Sequence, residues 1–247
     1  MNKTQAIILA AGKGTRLKSS LPKVLHQIAN KPMIHHVIDA CKSANISDIC
    51  LVVGYKKELI IESCSNYDTS YSIQEEQLGT GHAVICALDN IKSSNSKQII
   101  VLAGDCPLIQ PETLSELIHH HESTNAAATL LTGVLPDAGN YGRIIRTESN
   151  TIYAIQEAKD CSKEELKITE FNSGIYCFNK DKLIESIQKL QTNNAQNEYY
   201  LTDIINILYE EKHIISGHCI STVYEVLGAN TQEELQTLNE QAIKLAH

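Results

Sequence analysis

Two glycines and several cations lie close together near the start of the chain, in a pattern that could hold phosphate. The segment reads Leu9-Ala10-Ala11-Gly12-Lys13-Gly14-Thr15-Arg16, followed by Pro22-Lys23. Gly12 and Gly14 let the backbone bend and bring N–H groups close to an anion. Arg16 offers a planar fork of donors, and Lys23 a mobile point charge. A tetra-anionic triphosphate needs both kinds of group. The loop fits neither G-x-x-x-x-G-K-S/T nor G-x-G-x-x-G, so it is not a P-loop or a Rossmann fingerprint. A glycine turn carrying solvated cations is the bland alternative.

A carboxylate can be placed beside that loop. Asp105 directly follows the apolar run Ile99 to Ala103. If both runs are parallel strands, the loop after Ala10 and the carboxylate after Ala103 share one sheet edge, where α/β proteins build sites. No Ser-His-Asp or Cys-His constellation is apparent. His119-His120-His121 resembles a metal tract, but consecutive helical residues point in different directions and cannot chelate one ion. That tract reads as a solvated helix end, and His35-His36 likewise.

The elements that would position these groups are short apolar runs alternating with amphipathic stretches. Strands are predicted at Ala6 to Ala10, Ile49 to Val53, Ile99 to Ala103, Ala128 to Thr132 and Ile175 to Phe178. Such continuously apolar runs suit a sheet covered on both faces. Helices are predicted from Pro32 through Cys41, over Thr80 to Leu88, and from Pro111 through Leu117. The alternation gives an α/β fold with a mainly parallel sheet. Gly139-Asn140-Tyr141-Gly142 is a turn signal. The stretch from about Pro136 to Phe178 reads as a subdomain woven into the same sheet, with antiparallel strands. Thr231 caps a last helix with a sticky face of Leu235, Leu238, Ala242 and Leu245.

The glycine loop with Pro22-Lys23 resembles the signature of the sugar-nucleotide pyrophosphorylases, nucleotidyltransferases of Rossmann-like fold. Gln74 to Ala83 resembles the base-recognition segment of the N-acetylglucosamine-1-phosphate uridyltransferase family. Ala103 to Leu108 resembles that family's metal-binding segment. Tyr141 to Ile144, Gln156 to Asp160, Glu170 to Gly174, Asn194 to Asp203 and Glu225 to Asn230 continue in the family's order. The resemblance covers nearly the whole chain.

It implies an α/β, Rossmann-like nucleotidyltransferase fold with a mainly parallel, mixed central sheet flanked by helices. Residues 1–228 would form the uridyltransferase domain. About 1–135 would bind nucleotide, about 136–228 sugar, and 229–247 would be a C-terminal helix. The implied substrates are UTP and N-acetylglucosamine 1-phosphate, with UDP-N-acetylglucosamine and pyrophosphate as products. Leu9, Ala10, Ala11, Gly12, Ala103 and Gly104 would cradle the nucleotide, and Arg16 and Lys23 would be catalytic. Gln74, with the backbone of Gly79 and Thr80, would read base and ribose. Asp105 and Asn230 would bind Mg²⁺, a hard ion that takes few protein oxygens and keeps waters. Gly142, Glu157 and Asn172 would hold the acetamido sugar. The nucleophile is an ionised phosphate, so catalysis needs alignment and charge neutralisation rather than a base. The family is linked to cell-wall precursor synthesis.

Composition sets the outer bounds. The chain has 247 residues and a net charge of −8, which argues against non-specific nucleic-acid binding. A chain of this length buries roughly 70–75% of its unfolded surface and needs no disulfide staple. The eight cysteines are scattered, with no C-x-x-C pair, and read as reduced, largely buried thiols. No signal peptide or transmembrane-length apolar run is apparent, so a cytoplasmic protein with no membrane partner is expected. The chain shows no six-residue periodicity, so the hexapeptide-repeat acetyltransferase half of the bifunctional family is not expected within these residues. A monomer or weak dimer is expected for the chain alone. Two rivals stay open: a nucleotidyltransferase for another base or sugar phosphate, and a non-catalytic nucleotide-sugar sensor.

Overall fold

A computed structural model describes residues 3–245, with only the backbone of Leu245. The side chain of Leu245, which the sequence places on the sticky face, lies outside the described residues, as do Ala246 and His247. The first half runs β1 (Thr4–Ala10), β2 (Gln27–Ile28), β3 (Lys31–Pro32), α1 (Met33–Ser43), β4 (Asp48–Val53), α2 (Lys57–Ser63) and β5 (Ser70–Ile73). There follow α3 (Thr80–Cys86), α4 (Leu88–Ser93), β6 (Gln98–Ala103), α5 (Pro111–Thr124) and β7 (Ala128–Val134). The rest is β8 (Arg143–Arg146), β9 (Ile152–Gln156), β10 (Glu170–Asn179), α6 (Lys180–Ile187), α7 (Asp203–Glu210), β11 (Ile215–Cys219) and α8 (Gln232–Leu245).

Nine strands form one sheet among the described residues, in the order β11-β7-β10-β6-β1-β4-β5, with β8 and β9 added beside β10. The run β6-β1-β4-β5 is parallel, and β11 pairs parallel with β7. β10 is antiparallel to both β6 and β7. The sheet is therefore mixed. β1 explains why the strands are apolar throughout. Its Ala6, Ile8 and Ala10 face a core shared with α1, α2 and α5, while Ile7 faces a core shared with α3, α4, α6 and α7. Alternate residues meet different layers, and neither face sees water.

After β1 the chain steps to β4 and β5, then returns to place β6 on the other side of β1. The loops leaving β1 and β6 thus diverge and open a crevice at the carboxyl edge of the sheet. The antiparallel extension β8-β9-β10 walls that crevice. β10 carries a register shift between Asn172 and Ile175, with Gly174 at φ +79°. Such a bulge re-aims a side chain, here Asn172.

Three expectations are corrected or sharpened. The single helix expected over Thr80 to Leu88 is two helices meeting at Ala87, whose φ and ψ of −91° and 0° leave the helical basin. The apolar stripe Ala83, Val84, Ala87 and Ile91 runs across the break and buries it. The sticky face of α8 packs on its own domain: Leu238 is buried with Ile28, Met33, Leu108 and Ala229, and Leu235 and Ala242 pack against them.

The histidine tract is not a solvated helix end. His121 is 3% exposed and its Nδ1 lies 2.9 Å from Thr129 Oγ1. It falls on the stripe of Leu114, Leu117 and Ile118. His120 bonds Ser216, and His35 and His36 reach the carbonyls of Ser63 and Ile28. Burial pushes the His121 imidazole down to about 4. The fold therefore holds it neutral, while the unfolded chain takes up its proton near pH 6.5. That stability is complete above pH 6.5 and is lost as pH falls toward 4. Urea midpoints measured between pH 7 and 4 should fall more steeply for the wild type than for His121→Gln. Parallel curves would remove His121 as the cause.

Candidate active site

The loop after β1 keeps Gly12 exposed, with nothing within 4 Å of where a Cβ would sit. Gly14 adopts φ +63°, and a Cβ there would lie 2.6 Å from the Lys23 Cβ. The loop therefore needs glycine at position 14 to fold back on Lys23. Pro22 and the buried Val24 and Leu25 fix the backbone on either side of Lys23.

From there the Lys23 ammonium reaches the two residues expected to bind the metal. It pairs with the Asp105 carboxylate, and it donates to Asn230 Oδ1 at 2.7 Å. Both the Lys23 and Asp105 side chains are 16% exposed. Arg16 Nη2 donates to the same Asn230 oxygen at 2.9 Å. Residues distant in sequence are thus knotted at one point.

Each member of the knot is braced. Gly104 N–H donates to Leu9 O at 2.9 Å, which ties the end of β6 to the end of β1. A Cβ at Gly228 would lie 2.8 Å from Asp105 Oδ2, so the 228–230 segment presses on that carboxylate. Glu225, 8% exposed, accepts from Thr113 Oγ1 at 2.5 Å and anchors the same segment to α5. Asn230 is set by a capping box: the Glu234 carboxylate accepts from the Asn230 and Thr231 amides, and Thr231 Oγ1 accepts from Glu234 N–H.

A divalent cation fits this donor set. Asp105 supplies a carboxylate and Asn230 an amide oxygen, both hard ligands. The two oxygens converge on one ammonium nitrogen, so they already share a position that attracts positive charge.

Two cavities flank the knot. One, of about 300 Å³, is lined by Leu9, Ala10, Ala11, Gly12, Lys23, Gln74, Gly79, Thr80, Ala103 and Asp105. The other, of about 520 Å³, takes Leu9, Arg16, Thr80, Ala103, Glu157, Asn172 and Asn230 into its wall. Leu9, Thr80 and Ala103 belong to both. The residues expected to hold nucleotide and those expected to hold sugar therefore sort into adjoining spaces.

In the smaller cavity Gln74 is 3% exposed, and its amide NH₂ donates to Gly79 O at 3.0 Å. Among the described residues nothing donates to Gln74 Oε1. Gly79 sits at φ +106°, and a Cβ there would lie 2.6 Å from Tyr199 O. Thr80 Oγ1 accepts from Leu201 N–H at 3.1 Å, so the 198–201 segment straps the base side.

In the larger cavity Glu157 accepts from Thr202 Oγ1 at 3.1 Å. Burial raises the Glu157 carboxyl above its usual range; the Thr202 bond opposes this, and Asp203, Asp160 and Glu198 add to it. Burial raises Asp203 as well, with Asp160 adding to it. Asn172 donates to Tyr176 OH at 2.7 Å, and its Oδ1 accepts from Gly174 N–H at 3.2 Å. Gly142 does not line the cavity. Its carbonyl accepts from Asn172 N–H at 2.8 Å, and a Cβ there would lie 3.0 Å from Ile155. It lets β8 approach β9 closely beside Asn172.

Several residues with a part in the site carry no role in the sequence reading. Thr202 and Tyr176 hold Glu157 and Asn172. Tyr141 OH accepts from Gly228 N–H at 3.3 Å and links the sugar wall to the knot. Arg143, 1% exposed, donates to the carbonyls of Tyr141, Gly139 and Leu166 and shapes the 139–141 turn. Tyr141 and Arg143 flank Gly142 inside a family-like segment, so a polar residue next to a site residue is the available signal there; Thr202, in another such segment, adjoins none.

A glycine cradle, a cation pair and a carboxylate meet at a sheet switch point, between two cavities, and are suited to hold phosphates. The chain belongs to the nucleotidyl transferase family, whose model matches residues 5–220. It is 47% identical over 230 residues to the bifunctional protein GlmU of Clostridium botulinum (strain Loch Maree), covering 93% of this chain and 50% of that one. To the bifunctional protein GlmU of Clostridium perfringens (strain ATCC 13124) it is 47% identical over 235 residues, 95% and 51% of the two chains. It spans about half the length of the curated relatives it matches. A solved Bacillus anthracis structure, provisionally assigned as a glucose-1-phosphate thymidylyltransferase in complex with a sucrose, superposes with a TM-score of 0.77. At 22% identity, covering 97% of this chain and 95% of that one, it shows the same fold. Among the described residues no helix is long and apolar enough to cross a membrane.

Proposed function

We propose that the chain transfers a uridylyl group from UTP to N-acetylglucosamine 1-phosphate, releasing pyrophosphate, with Mg²⁺ as its cofactor. The observation that carries this reading is the pair of cavities joined at Leu9, Thr80 and Ala103, with Lys23 in one and its bonding partner Asn230 in the other. Two anionic reactants held in adjoining spaces meet beside the chain's own cations.

The smaller cavity takes the nucleotide. Leu9 to Gly12 leave backbone room for the triphosphate, Ala103 closes the floor, and Gly104 ties that floor to Leu9. Gln74 Oε1 accepts the uracil N3–H, and Gly79 and Thr80 flank base and ribose. Glu157 and Asn172 bind sugar hydroxyls, and Gly142 keeps Asn172 in register. Arg16 and Lys23 orient the two phosphates and offset their repulsion, which is what an attack by one anion on another most needs. Asp105 and Asn230 would hold Mg²⁺, which when bound supplies further positive charge at the phosphates. With the cation held there, Lys23 would be free to face the α-phosphate. About residues 1–135 form the nucleotide part and about 136–228 the sugar part. On this reading the protein works in the cytoplasm, as an enzyme of cell-wall precursor synthesis.

Cytosine replaces the ring N–H by an acceptor and would face Gln74 Oε1 with a lone pair. A buried polar mismatch costs about 1–3 kcal/mol. A pyrophosphate-release screen should therefore favour UTP over CTP by roughly tenfold or more. The same screen against hexose and hexosamine 1-phosphates tests the acceptor. Thymine carries the same N3–H, so dTTP belongs in it. Equal use of CTP would sink the role of Gln74, and a better acceptor than N-acetylglucosamine 1-phosphate would sink that of the sugar wall.

A further inference from the structure

The Gln74 amide is held at two points. One terminal atom lies 3.0 Å from Gly79 O and 3.2 Å from His82 Nδ1. A backbone carbonyl can only accept, so that atom is the NH₂ nitrogen however the amide is drawn. Its two hydrogens are matched by two acceptors. His82 must accept at Nδ1, so its proton sits on Nε2, which faces Cys86 Sγ at 3.8 Å. The ring is kept in place by α3 and by Tyr199, whose ring lies 6.2 Å away at 29°.

We infer that His82 is a positioning residue for base choice: its Nδ1 lone pair keeps the Gln74 NH₂ inward and so turns Oε1 to the base. The inference rests on the uridylyl reading above. An amide turned over would present NH₂ to the base and suit cytosine N3 instead of uracil N3–H. Two acceptors oppose that turn. One belongs to the Gly79 backbone; the other is the part that a side chain decides. Gly79 O alone still favours the inward NH₂, so losing Nδ1 narrows the preference without reversing it.

Two variants separate the acceptor from the ring. His82→Phe keeps a ring against Tyr199 and removes the acceptor. His82→Asn removes the ring and places an amide oxygen near the position of Nδ1. Each is assayed with UTP and with CTP at saturating sugar 1-phosphate, with a thermal melt as the folding control. For His82→Phe, KM for UTP should rise and the UTP-to-CTP ratio of kcat/KM should fall, each roughly three- to tenfold, the worth of one hydrogen bond. Its kcat should stay near the wild-type value, because the reacting phosphates are untouched. His82→Asn should recover most of the ratio. His82→Leu replaces the Phe variant if that does not fold. A wild-type ratio in the Phe variant would overturn the inference. So would equal loss in the Phe and Asn variants, which would put the effect in ring packing. A wild-type enzyme that uses UTP and CTP equally would instead refute the uridylyl reading, before any variant is made.

Discussion

Lys23→Ala is expected to lower kcat by a factor on the order of 10²–10³ at saturating substrates. The side chain is 16% exposed and its ammonium touches groups from both cavities, Asp105 and Asn230. Its charge is therefore carried to the junction of the two cavities, where a water in the variant cannot supply it. The fold should survive. Val24 and Leu25 carry the local packing, while Lys23 itself is only partly buried. Circular dichroism and a thermal melt check this directly. Near-wild-type turnover from a folded variant would remove Lys23 from the mechanism.

Asp105→Asn should abolish most activity, by on the order of 10²-fold or more, and lose the response to Mg²⁺ with it. The substitution keeps the shape that Gly228 presses against. It removes the charge, leaving two neutral amide oxygens where a carboxylate and an amide had converged. A neutral pair is a poor site for a hard dication. Activity measured across a Mg²⁺ titration separates the outcomes. An unchanged midpoint would show that the metal is held elsewhere, whatever the residual rate.

The parts of the site legible in the sequence were those whose geometry is local. A glycine loop at a strand end and an aspartate at the next strand end need only the parallel sheet to be brought together. β1, β4 and β6 announced themselves because both of their faces are buried. β8 and β9 are four and five residues long, too short for a periodicity to mark them. The bulge at Asn172 is a register feature between strands and has no signature along one strand. His121 was misread for a different reason. Its neighbours in sequence suggested a polar tract, while its neighbours on the helix, Leu114, Leu117 and Ile118, are core. Thr202 and Tyr176 belong to contacts that exist only after folding.

The knot also orders the folding of the chain in time. Arg16 and Lys23 reach Asn230 across 214 and 207 residues, and the Gln232 side chain caps the Leu17 carbonyl across 215. Loops of that length close late, because ordering them costs chain entropy before any contact repays it. The sheet is complete once β11 pairs with β7, by Cys219. A chain leaving the ribosome can thus complete its sheet before Asn230 is made, while the cluster of Ile28, Met33 and Leu108 waits for Ala229 and Leu238. On the proposed mechanism, the nascent protein should stay inert until the 228–238 stretch docks.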